Sequence, residues 1–151
     1  MALNRGVYCL ILHNVACSLR VGSLGTIAFL EGWHIYVGSA LGPGGFSRVE
    51  RHHSLASRKD RKPRWHIDSL LLSPAFTLAS ACRAVTGLPL ECDLARAIGG
   101  ESVHGFGCSD CRCASHLFYR PEYPGPEMIG AFQSLGLSCH EQKYEIIARE
   151  R

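Results

Sequence analysis

An unbroken apolar run over residues 7–12 predicts a buried strand. Shorter apolar runs at 27–29 and 33–37, set off by Gly25 and Gly32, predict further strands, so the first third of the chain reads as β-rich. The turn Leu41-Gly42-Pro43-Gly44-Gly45 closes that region. Phe46, Val49 and Leu55 then form a sparse apolar stripe on a short basic helix over 46–57. A polar stretch at 58–64 leads to a second helix over 65–72, which Pro74 ends. Residues 76–85 predict another strand, and residues 90–98 a third helix between Pro89 and Gly99-Gly100, the expected punctuation at its two ends. Residues 104–116 lack regular-structure formers and predict an ordered loop. Beyond Pro121, Pro124, Gly125 and Pro126, the pattern predicts a helix over 127–135 and a strand over 144–148.

Strands mixed with helices make this an α/β (α+β) chain. Its 151 residues, 46% hydrophobic and 19% charged, suit one globular domain over 1–118 with an accessory helix-strand tail over 119–151. His13 and Asn14 interrupt the first apolar run after six residues, too soon for a signal segment or a membrane span. The expectation is a soluble, cytoplasmic protein with reduced thiols and no membrane partner.

The net charge of +3 says little until it is resolved along the chain. Residues 48–64 hold seven basic residues against two acidic ones, a local net charge of +5 that leaves −2 for the remainder. Such a one-signed segment suits a phosphate-facing surface built from Arg51, Lys59, Arg61, Lys62 and Arg64 beside Arg48, although a solvated helix face has the same composition. His66 is either a further phosphate contact or the packed partner of Trp65.

Four kinds of polar chemistry recur in order. Tyr8 follows Gly6-Val7 on the first strand, Tyr36 precedes Val37-Gly38, Arg48 and His52 lie four residues apart on the next helix, and Glu91 opens the third. Taken singly these are core tyrosines, a surface arginine and a first-turn acid. In combination the chain resembles the GIY-YIG nucleases, with Gly6-Val7-Tyr8 as the first motif and Tyr36-Val37-Gly38 as the second. The stretch 36–53, Trp65-His66-Ile67-Asp68, Glu91-Cys92-Asp93-Leu94-Ala95, Gly105-Phe106-Gly107 and Ser115-His116-Leu117-Phe118 further resemble an archaeal and bacterial branch found alone or fused to endonuclease III.

The resemblance implies a small three-stranded antiparallel sheet flanked by helices, and metal-dependent hydrolysis of phosphodiesters in nucleic acid, DNA in preference to RNA, in a DNA repair setting. It implies that Glu91 binds Mg²⁺ or Mn²⁺, that Arg48 contacts the scissile phosphate, that Tyr8 orients or deprotonates water beside Tyr36, and that His52 assists proton transfer. A phenol titrating near 10 needs nearby positive charge for that role. The 27 residues between Tyr8 and Tyr36 exceed the family's short connection and imply an extra strand or excursion.

Cys108, Cys111, Cys113 and His116 form a C-x2-C-x-C-x2-H pattern. It supplies donors for a structural Zn²⁺, or else packed thiols in a turn. The other five cysteines lie singly, as small buried hydrophobes do. Two further functions fit the same residues: a non-catalytic nucleic-acid-binding module and a zinc-stabilised interaction domain.

Overall fold

A computed structural model describes residues 4–108 and 113–144. Its centre is the apolar run read first: β1 (Gly6–Asn14) pairs antiparallel with β4 (Gly32–Ala40) on one side and with β5 (Phe76–Val85) on the other. Period-two alternation sends Tyr8, Leu10 and Leu12 to one face and Val7, Cys9 and Ile11 to the opposite face. Both faces are covered, which is why the run is apolar throughout. Helices α1 (Ser47–Arg58) and α2 (His66–Leu72) pack on the Tyr8 face through Val49, Leu55, Ile67, Leu70 and Leu71. Helices α3 (Glu91–Ile98) and α4 (Gly125–Ser134) cover the Cys9 face through Leu94, Ile98, Met128 and Phe132.

The sheet has five strands rather than three, in the order β6-β4-β1-β5-β7. The additions are short edge strands, β6 (Leu117–Arg120) on β4 and β7 (His140–Lys143) on β5. The long connection between the two tyrosines holds its own two-stranded sheet of β2 (Cys17–Arg20) and β3 (Thr26–Phe29), joined by a short 3-10 turn. The tail supplies α4 and β7, so part of the second core comes from residues beyond 118. Its strand lies at 140–143, earlier than the 144–148 expected, and residues 145–151 lie outside the described part. A one-residue register shift on β5 opposite Ile11 and Leu12 lets Ala79 fall on the Cys9 face between Ser80 and Leu78, as a bulge does.

Two loops are fixed by specific residues. Helix α1 ends at Lys59, whose left-handed backbone (φ 51°) turns its ammonium toward the end of α2. There it donates to the carbonyl oxygens of Leu71 and Ser73 at 2.7 and 2.8 Å. The loop before β6 is held by its backbone: His116 N donates to Phe106 O and Val37 N to His116 O, both at 2.9 Å. Among the described residues no helix is long and apolar enough to cross a membrane.

Candidate active site

Register places the two tyrosines on one face of the sheet. Tyr8 lies opposite Gly38 and Leu10 opposite Tyr36, so the two rings are diagonal neighbours with centroids 6.4 Å apart. A Cβ at position 38 would collide with Cζ and the hydroxyl of Tyr8. Gly38 is therefore the residue that lets the phenol lie across β4. Over the rings, α1 presents Arg48 and His52 one turn apart on the same side. The hydroxyl of Tyr8 and Nε2 of His52 are 2.7 Å apart and fully buried.

Burial decides the charge states here. It pushes the Tyr8 phenol well above its usual value, a trend Tyr36 reinforces and Arg48 opposes too weakly to reverse. Burial raises Tyr36 as well, with the Glu91 carboxylate adding to the shift. His52 is pushed down to about 4, first by burial. The pair is thus a neutral phenol on a neutral imidazole, not the phenolate that nearby cations would favour. Nδ1 of His52 has no hydrogen-bond partner among the described residues, so Tyr8 alone fixes the ring's polar contacts.

Arg48 is held from two sides: Nη1 donates to the Ser39 carbonyl at 3.0 Å, and the guanidinium lies 4.9 Å from the centre of the Trp65 ring. Arg51 and Arg64 also lie over that indole, at 4.5 and 5.6 Å, a cation–π platform at the rim. Trp65 is a feature that sequence reading treated as a packing partner of His66. Arg51 makes a two-point contact with the buried Asp68 carboxylate, each oxygen at 3.3 Å. Asp68 Oδ2 also accepts the backbone N–H groups of Arg64 and Trp65, which fixes the start of α2.

These side chains enclose a cleft of about 360 Å³ whose lining includes Tyr8, Tyr36, Arg48, Arg64, His66 and Glu91. Of the basic residues expected to meet phosphate, Arg64 and His66 line it, whereas Lys59 faces the α2 carbonyls and Arg61 pairs loosely with Asp60 at 3.7 Å on the surface. Lys62 is exposed in the loop between them. Nδ1 of His66 accepts from Gly107 N at 2.9 Å, which leaves the proton on Nε2. Gly107 has φ +72°, and a Cβ there would press on His116 and Tyr36.

On the far wall, Glu91 Oε2 faces Nδ1 of His116 at 3.4 Å. The other ring nitrogen, Nε2, lies 2.7 Å from Cys113 Sγ, which is 2.7 Å from Cys92 Sγ. Among the described residues, the group that could hold a metal ion is Cys92, Cys113 and His116, all donor atoms within 4.8 Å of one another. Cys108 Sγ lies 3.4 Å from the Phe106 carbonyl oxygen, and Cys111 lies outside the described residues. Cys92, read as a packing thiol because it lies singly in the sequence, joins this group instead. The signal available was its place directly after Glu91.

A family model with the description "Domain of unknown function DUF123" matches residues 7–137. No curated protein and no solved structure matches the chain.

Proposed function

The chain belongs to the DUF123 family, and from its cleft we propose that it is a metal-dependent endonuclease of GIY-YIG type that hydrolyses phosphodiester bonds in DNA. One observation carries the reading: Tyr8, Tyr36, Arg48 and Glu91, spread over 84 positions of sequence, line a single cleft. Arg48, Arg51 and Arg64 gather on Trp65 at the cleft's rim, a cationic edge suited to a polyanion.

The chain's own groups divide the work. Arg48, held by Ser39 and Trp65, presents its remaining N–H donors to phosphate oxygens, where charge builds in the transition state. Tyr8 takes the proton of the attacking water as it passes its own to Nε2 of His52. This relay needs no phenolate: burial keeps the imidazole neutral, so Nε2 offers a lone pair for the proton, and the same burial makes it a weak base. Tyr36 packs against both rings and fixes their tilt. Glu91 is the carboxylate lining the cleft; one carboxylate completed by phosphate oxygens and water is a donor set that Mg²⁺ and Mn²⁺ take. Such an ion, when bound, supplies Lewis-acid neutralisation of the phosphate charge.

The test is nicking of plasmid, branched, mismatched and single-stranded DNA in Mg²⁺ and Mn²⁺. Cleavage that falls by about 100-fold or more in Glu91→Gln and Arg48→Ala supports the enzyme. DNA binding that weakens steeply with salt, with no substrate cut under any metal, identifies a binding module instead.

A further inference from the structure

Two sulfurs and a ring nitrogen from separate parts of the chain converge beside the cleft. Cys92 Sγ lies 2.7 Å from Cys113 Sγ and 3.7 Å from His116 Nε2, and Cys113 Sγ lies 2.7 Å from that nitrogen. We propose that Cys92, Cys113 and His116 bind one zinc ion, and that zinc-bound His116 orients Glu91 in the cleft.

All three donor atoms lie within 4.8 Å of one another, close enough for one ion to reach each of them. Zinc bonds of about 2.3 Å to sulfur and about 2.0 Å to nitrogen place tetrahedral donors about 3.5–3.8 Å apart. The Cys92–His116 separation of 3.7 Å already meets this, and the other two open by about 1 Å on binding. A thiolate pair with an imidazole selects a soft or borderline ion over Mg²⁺ or Ca²⁺. Each thiol releases its proton to solvent as its sulfur bonds to the ion.

The surrounding backbone supports the ligands. His116 is held by hydrogen bonds to Phe106 and to Val37 of β4, and Cys92 stands in the first turn of α3. One ion therefore fastens α3 to the loop before β6. With Nε2 on zinc, the imidazole must carry its proton on Nδ1, the nitrogen that faces Glu91 Oε2 at 3.4 Å. A carboxylate behind a metal-bound histidine is the usual second partner of such ligands. Here the same carboxylate lines the cleft, so a site of thiolate chemistry sets the aim of an oxygen donor used elsewhere.

The zinc site stands without the nuclease reading; only the consequence of aiming Glu91 for catalysis rests on it. Full-length protein, reduced and passed through gel filtration, should retain one zinc per chain by elemental analysis. Cys92→Ser and Cys113→Ser should fall to background while Cys17→Ser keeps its zinc. Cobalt in place of zinc should give near-ultraviolet thiolate-to-metal absorption, weakened in Cys92→Asp, a readout that survives even if the serine variants fold poorly. Substoichiometric zinc in the wild type, unchanged zinc in Cys92→Ser, or a Cys92–Cys113 disulfide whose reduction restores no metal binding overturns the site. Glu91→Gln should lower zinc affinity by about 10-fold or more and Asp93→Asn should not; equal affinities refute the link to Glu91. Intact zinc binding without any cleavage would sink the nuclease reading alone.

Discussion

Gly38 shows how much of the site rests on one missing side chain. The Tyr8 ring occupies the space a Cβ would fill, so Gly38→Ala must push either the ring or β4 aside. Overpacking of this kind costs about 1–3 kcal/mol, and urea denaturation should show that loss together with a disturbed Tyr8–His52 pair. Gly130 is the control. It sits in α4 with nothing near its Cβ position, and alanine there should stabilise by about 0.5–1 kcal/mol. The contrast explains what could be read from residues alone. Tyr8, Tyr36, Arg48, His52 and Glu91 are chemically distinctive and come in a recognisable order, so their meeting could be anticipated. Cys92 is harder to place, because a lone thiol is ordinarily packing and its partners lie 21 and 24 positions away. So is the charge state of Tyr8, which burial controls more than the arginine beside it.

Among elements, α2 is the most exposed to a single change. Its seven residues are too few to persist by propensity, and Asp68 holds the first turn by accepting two backbone N–H groups and the Arg51 fork. Asp68→Ala should cost about 3 kcal/mol or more, since it strips a cap and leaves a guanidinium without its anion. Glu50→Ala, which breaks the exposed Arg83–Glu50 contact of 2.9 Å, should cost under about 1 kcal/mol in the same denaturation series. Helix spans were legible because apolar spacing and Gly or Pro punctuation agree at both ends. The edge strands were not. His140–Lys143 is polar throughout, a composition that protects sheet edges and erases the alternation by which strands are recognised. The resemblance implies three strands where five form.

At the scale of the whole molecule, the buried histidines His34 and His52 contribute to the response to acid. His34, which donates to Asn14 Oδ1 at 2.9 Å, and His52 both titrate near 4 because burial disfavours the cation. The unfolded chain takes up these protons near pH 6.5. Above that value both states are neutral and stability does not change on their account. Between about 6.5 and 4 the unfolded state binds protons that the fold refuses, so stability falls as pH falls, by up to about 3 kcal/mol for each histidine. Unfolding free energies from urea titrations at pH 7.5 and 4.5 should differ in that direction; equal values would contradict the burial of neutral rings.

The central position of β1 has a further consequence, for the route by which the chain folds. The most apolar segment pairs with strands whose first residues come 26 and 70 positions after its own, so its partners are made long after it is. Until they arrive, neither edge of β1 can be satisfied by its pairs in the finished sheet. Contacts of such separation slow folding, and an exposed apolar strand with two open edges is a hazard for aggregation in the interval. The β2–β3 hairpin, whose strands pair locally, forms on a faster timescale and lies between β1 and its first partner. It shortens the loop that must close before β4 can dock.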